Sequence, residues 1–228
     1  MKTKILEKYK AIATEIYRSN PNVPDAGLSH YLLKDMQKAG FDPNQQRNPD
    51  GTWGDGGKML AFEEKIRRNK KESATVYDKN GDEVFFQAGD EYEVPFTNEQ
   101  MRMAISNGSI LTHNHPESKS FSDNDMLLLV TMRLDEIRAV GEDYTYSMKY
   151  NKPTNMEFVE QWDKMNSALK ESRKHAGKIV DDWFYKSPQS NADVDKANMM
   201  ITWIAMEYLS EETTFGKKHL TYKVEDYD

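Results

Sequence analysis

The sequence predicts an α/β (α+β) fold, a core of short strands and helices carrying N-terminal and C-terminal helical additions, and three observations support it. Two strand-like runs, Ser73 to Tyr77 and Asp82 to Gln87, are separated by Asp78-Lys79-Asn80-Gly81, a turn sequence, so they read as a hairpin. Two more, Glu136 to Val140 and Tyr144 to Lys149, flank a Gly-containing turn. On either side of this region apolar residues recur at helical spacing, at Ile5, Tyr9, Ile12 and Ile16 before it and at Phe158, Trp162, Met165 and Leu169 after it.

The elements follow in order. A second periodic stretch at Leu28, Tyr31, Leu32 and Met36 ends near Gly40, and Pro43 to Gly57, dense in Asn, Pro, Asp and Gly, marks a loop. Met59, Leu60, Phe62 and Ile66 suggest a helix. Behind it Lys65, Arg67, Arg68, Lys70 and Lys71 read as a solvated, cationic helix end, favourable to the helix dipole. Thr97 with Gln100 forms a capping box for a short helix through Ser106, which Asn107-Gly108 ends. Ser109 to Thr112 returns to strand, and Met126 to Leu134 looks like a buried helix. Past Pro153 the apolar spacing runs on through Ala176, Ile179 and Trp183, then again through Ala197, Ile201, Ile204 and Tyr208, so two long helices should pair and cover the core. His219 to Val224 is a candidate edge strand. The expected division is an N-terminal helical extension over 1–58, a core over 59–150 and a C-terminal helical hairpin with a terminal strand over 151–228.

Composition narrows the function classes. A net charge of −7 and a pI near 5.4 disfavour nucleic acid as the main partner, because phosphate binding needs clustered Lys and Arg. With no cysteine, a zinc site must use His and carboxylate. The first residues lack an apolar signal core and no run reaches the ~18 apolar residues of a membrane span, so a cytoplasmic protein without membrane attachment is expected.

The chemistry lies in Leu111-Thr112-His113-Asn114-His115-Pro116. Side chains alternate on an extended chain, so His113 and His115 face one side and can present two imidazoles to one ion. Pro116 stops strand pairing just beyond them. A short polar loop then leads to Ser122-Asp123-Asn124-Asp125, which opens an apolar helix and brings Asp125 back to the histidines. Two imidazoles and a carboxylate are suitable zinc ligands, and three protein ligands leave a position for water, as in catalytic sites. Glu72, at the start of the first strand, is the candidate base that takes a proton from that water. Its rivals are Glu63, Glu64, Glu83, Glu91 and Glu93. The Ser122 hydroxyl is a candidate oxyanion donor, although Ser-x-x-acid is also a common helix cap. Asp123 competes with Asp125 as ligand. His30, His175 and His219 lie in contexts that favour surface or core roles.

Thr112-His113-Asn114-His115-Pro116 followed by Phe121-Ser122-Asp123-Asn124-Asp125 resembles the JAMM (JAB or MPN) metalloprotease motif, most closely its RadC-like and phage head-morphogenesis-associated forms. Glu72 to Gly81 resembles the Glu-led strand and hairpin of those domains, and Asp135 to Val140 resembles the strand after the motif helix. The likeness spans roughly residues 60 to 150. Six residues separate His115 from Ser122, one fewer than the common JAMM pattern, a spacing shared by the phage-associated versions. The resemblance implies a cytidine-deaminase-like α/β sandwich. It implies zinc on His113, His115 and Asp125, with Glu72 as acid/base and Ser122 stabilising the tetrahedral intermediate.

The leading expectation is therefore a zinc-dependent metallopeptidase or isopeptidase. Its substrate would be a peptide or protein, such as a ubiquitin-like conjugate or a phage protein, met in the host cytoplasm if the chain is phage encoded. A second class is a JAMM-fold binding or phage assembly module without turnover. A nuclease is a third, disfavoured by the acidic pI.

Overall fold

The computed structural model of the protein describes residues 57–91, 93–184 and 191–227. The helical stripes read at Ile5 to Ile16 and Leu28 to Met36, and with them His30, lie outside the described residues. Helix α1 (Gly57–Ile66) leads into β1 (Ser73–Tyr77) and β2 (Glu83–Ala88), followed by α2 (Asn98–Asn107), β3 (Ile110–Asn114), α3 (Asp123–Thr131), β4 (Glu136–Val140) and β5 (Tyr144–Tyr150). The long helices α4 (Phe158–Phe184) and α5 (Asn191–Glu211) come next, and a short α6 (Gly216–His219) delivers the chain to β6 (Leu220–Asp226).

The six strands form one mixed sheet in the order β2-β1-β3-β4-β5-β6. β3 and β4 run parallel, which requires a crossover, and α3 lies in that crossover; the other neighbours are antiparallel. The expected hairpin forms: Asp78 accepts from the backbone N–H groups of Asn80 and Asp82, and Gly81 takes a φ of 82°, a conformation that glycine adopts without steric cost. The capping box of Thr97 and Gln100 starts α2 as predicted. Gly108 ends that helix for a reason of space rather than of a left-handed cap. Its φ is −74°, but a Cβ would lie 2.7 Å from the Ala104 carbonyl oxygen and 2.8 Å from Val76 Cγ1.

Alternation along the strands sorts the sheet into two faces. Thr112 and Arg138 reach Glu63 of α1 on one face. Leu111, His113, Ile137 and Ala139 therefore point to the other, where α3 packs on α4 and α4 packs along α5 over a continuous apolar core. The sheet thus lies between helices. The terminal strand is an edge strand as predicted, and it pairs with β5 from Tyr144↔Asp226 to Tyr150↔Leu220, so the sheet continues beyond residue 150.

One expectation is corrected on the α1 face. Arg67 does not end a helix in solvent: it is buried, and it donates to the carbonyls of Gly141 and Tyr144 and to Thr145 Oγ1 at 2.6, 3.3 and 3.0 Å. Its guanidinium lies 3.8 Å from the Tyr227 ring centre. Position in the chain placed it among exposed cations; a long side chain able to reach the β4–β5 turn buries it instead. Among the described residues no helix is long and apolar enough to cross a membrane.

Candidate metal centre

β3 carries His113, and His115 follows one step past the strand's last residue, Asn114. Although Pro116 ends pairing, the His115 N–H still donates to the Val140 carbonyl at 2.9 Å, which extends the strand direction far enough to keep both imidazoles on the α3 side. The chain then turns sharply. Ser118 adopts a left-handed backbone, φ 53°, and its N–H donates to the His115 carbonyl. A neighbour larger than glycine would not fit beneath it, since a Cβ on Gly141 would sit 2.8 Å from Ser118 Cα. The Tyr146 hydroxyl donates to the Ser118 carbonyl, and Phe121 is buried against the rings of Tyr146 and Tyr222. So fastened, the loop returns to α3 with Ser122 as N-cap and Asp125 at its third position.

Three ligand-type groups converge. His113 Nε2 and His115 Nε2 are 2.8 Å apart, His113 Nε2 is 3.1 Å from Asp125 Oδ1, and His115 Nε2 is 3.4 Å from Asp125 Oδ2. Around a tetrahedral zinc with bonds of 2.0–2.1 Å, adjacent ligand atoms lie about 3.3 Å apart, so this buried triad is of a size to hold an ion. Its outer contacts suit that task. His115 Nδ1 donates to the Lys119 carbonyl at 2.8 Å, which leaves Nε2 as the ring's free lone pair when the imidazole is neutral. His113 Nδ1, by contrast, is buried without a hydrogen-bond partner among the described residues, and ligation through Nε2 would leave its N–H unpaired. The Ser122 N–H and hydroxyl both donate to Asp125 Oδ2 at 2.7 Å, and the Asp125 N–H donates back to Ser122 Oγ. The helix cap and the ligand cluster are therefore one structure.

Burial alone would drive the imidazolium of His115 to lose its proton. The hydrogen bond and charge of Asp125, the Lys119 carbonyl and Glu72 outweigh that and raise its pKa to about 9. Burial likewise pushes the Asp125 carboxyl up, but the two histidines hold it well below the usual carboxylate range.

The triad opens onto a cavity of about 630 Å³, a size typical of small-ligand sites. Glu72 lines the same cavity. Burial raises its pKa, with Asp125 and Asp90 adding to the effect and His115 and His113 opposing it. Val94, Phe96, Met101, Leu127 and Leu128 supply an apolar wall, and Glu91 and Glu93 lie on the connection from β2 to α2. The chain matches no protein-family model, no curated protein and no solved structure. The site is read from its own chemistry.

The structure brings together five of the residues singled out, Glu72, His113, His115, Ser122 and Asp125, around one cavity. Asp123 is not among them: it receives the Arg173 Nε–H at 2.7 Å and points away to α4. Among the rival glutamates, Glu63 is buried with Arg138, Glu64 accepts from the Tyr227 hydroxyl, and Glu83 is exposed, which leaves Glu91 and Glu93 beside Glu72. His175 stacks on Tyr208, and His219 Nδ1 donates to the Asn151 carbonyl. Sequence reasoning missed the Lys119 carbonyl, since a backbone atom has no signature, and Tyr222, whose hydroxyl meets Ser120 at 2.7 Å across 102 residues of chain. It also missed Asn114, although a polar residue inside a buried strand was a signal in plain view.

Proposed function

We propose that the protein is a zinc-dependent metallopeptidase or isopeptidase of the JAMM type, its sheet and helices a cytidine-deaminase-like sandwich. The observation that carries this reading is the meeting of two imidazole nitrogens and a carboxylate within 3.4 Å of one another on the wall of a cavity that Glu72 also lines. His113, His115 and Asp125 would hold the ion. Zinc bound there supplies Lewis-acid polarisation of a carbonyl and lowers the pKa of a bound water to about 7.

The residues of the chain do the rest. The Glu72 carboxylate takes a proton from the nucleophilic water and returns it to the departing amine nitrogen, so that water and one C–N bond become an acid and an amine. Ser122 holds the Asp125 carboxylate with its hydroxyl, and oxyanion stabilisation requires that hydroxyl to turn from Asp125 into the cavity. The apolar wall and Glu91 and Glu93 accommodate a peptide rather than a nucleic acid backbone, whose phosphates they would repel. A ubiquitin-like conjugate or a phage protein remains the substrate suggested by the motif's likeness.

Elemental analysis of the purified chain is expected to find one zinc per molecule, lost in His115→Ala and Asp125→Ala. Because His115 carries a proton below a pKa of about 9, which zinc must displace, affinity should rise towards that pH and fall about tenfold per unit below it for the one proton released. Competition with a chromogenic chelator at several pH values measures this slope. Absence of stoichiometric metal in the unmutated chain removes the enzyme reading. Bound zinc without cleavage of peptides, together with a partner captured equally by Glu72→Gln, points to a binding or assembly module, and cleavage of DNA to a nuclease.

A further inference from the structure

The residue between the two histidines is the one that metal binding leaves unused. Asn114 is fully buried, and alternation along β3 turns its side chain away from the face of His113 and His115. Its carboxamide meets the connection from α1 to β1 at three points. Oδ1 accepts from the Ser73 N–H at 2.8 Å, and Nδ2 donates to the carbonyls of Asn69 and Lys71, each at 3.1 Å. One N–H and two carbonyls as partners allow a single orientation of the amide.

Lys71 and Ser73 are the two chain neighbours of Glu72. The antiparallel ladder of β1 and β3 runs from Tyr77↔Ile110 to Ala74↔His113, and its next rung would pair Ser73 with Asn114. At that rung the Asn114 side chain stands in for strand backbone, offering an acceptor to one neighbour of Glu72 and a donor to the other. The opposite flank is held as well: the Glu72 N–H donates to the Asp90 carbonyl at 2.6 Å, and the Glu72 carbonyl accepts from the Gly89 N–H at 2.9 Å. Every one of these bonds is to main chain, so the Glu72 carboxylate stays free to face the cavity.

We propose that Asn114 is a positioning residue that sets Glu72 relative to the metal ligands, an inference that rests on the roles given above to Glu72 and the triad. Its backbone joins His113 to His115, and its side chain grips both neighbours of the base, so a single residue spans the two halves of the centre. The amide is suited to the place. An aspartate would keep the acceptor for Ser73 but turn carboxylate oxygen toward the carbonyls of Asn69 and Lys71, and a hydroxyl has one proton where two carbonyls wait.

The test compares the unmutated chain with Asn114→Ala and Asn114→Asp. Three quantities are measured: zinc affinity by chelator competition, amide hydrogen exchange at Ser73 and along 111–113, and kcat and KM on a quenched-fluorescence peptide pool. The expected result is unchanged zinc affinity, faster exchange at Ser73 with 111–113 still protected, and a kcat lower by about a hundredfold at unchanged KM, the effect of a displacement near 1 Å. Zinc affinity lost in step with kcat would show Asn114 acting through the ligands and overturn the proposal, as would an unchanged kcat or a Ser73 amide that stays protected. Should Asn114→Ala fail to fold, Asn114→Asp decides; should neither fold, Asn114 is a folding residue and the proposal falls. If the unmutated chain binds zinc yet cleaves no peptide, the peptidase reading fails by itself, and hydrogen exchange with zinc affinity still decides whether Asn114 holds the Glu72 segment independently of the ligands.

Discussion

Replacing Glu72 by glutamine is expected to lower kcat by about two to four orders of magnitude, the range that positioned acid–base catalysis supplies, while zinc stays bound. Glutamine keeps the shape of the side chain, and the bonds that fix this segment are made by its backbone and its neighbours, so the fold should not change. What disappears is an atom able to accept a proton. The same group predicts a pH profile. Only the ionised form accepts a proton, so kcat/KM of the unmutated chain should fall with acidification as Glu72 protonates; in the metal-free chain burial holds that carboxyl above the ordinary glutamate range, and the charge of a bound ion would draw it down. That acidic limb should be missing from the residual activity of Glu72→Gln. A variant that retains full turnover would pass the role to another glutamate of the same cavity, Glu91 or Glu93 on the β2–α2 connection or Glu117 on the loop after Pro116.

Removing Glu63 is expected to cost about 3–5 kcal/mol of stability, the loss seen when one member of a buried ion pair is deleted. Glu63 is 2% exposed; its carboxylate receives Arg138 Nε at 2.7 Å, Arg138 Nη2 at 3.2 Å and the Thr112 hydroxyl at 2.8 Å. Burial alone would ease the Arg138 proton off, but Glu63 and then Glu225 and Glu136 hold it firmly in place. With Glu63→Ala the guanidinium stays buried and keeps Glu136 at 3.2 Å and the half-exposed Glu225 at 3.3 Å, an incomplete set of partners. At about 2–4 °C per kcal/mol for a chain of this size, the melting temperature should fall by roughly 6–20 °C. Urea titration and thermal melting both report it. Replacing Glu63 and Arg138 together by leucine and methionine should restore much of the loss, because the desolvation cost of both charges goes with them. A single variant that melts within about 1 °C of the unmutated chain would mean that water reaches the pair.

Local rules made most elements readable. The turn at Asp78 to Gly81, the capping boxes at Thr97 and Ser122 and the alternation of β3 are settled by residues a few positions apart, and each appeared where such spacing puts it. The triad was legible for the same reason, since His113, His115 and Asp125 lie within one strand, loop and helix turn. Long-range satisfaction of buried polar groups was not. Arg67 looked like one of five exposed cations until the β4–β5 turn, more than 70 residues on, supplied its acceptors. Glu63 competed with Glu72 as a base on sequence grounds, and its partner Arg138, 75 residues away, withdraws it from the cavity. Asn114 sat inside the motif and passed as a spacer, because its partners are backbone atoms that every residue possesses.

Tyr222 belongs to the last strand of the sheet, yet its hydroxyl meets Ser120 and its ring meets Phe121, both in the loop that joins the histidines to Asp125. Fastening that loop and fastening β6 are then coupled, and linkage makes the dependence mutual. An ion held by the triad would, by tightening the loop, also staple β6 to its neighbour, and the melting of that edge would then shift with added metal.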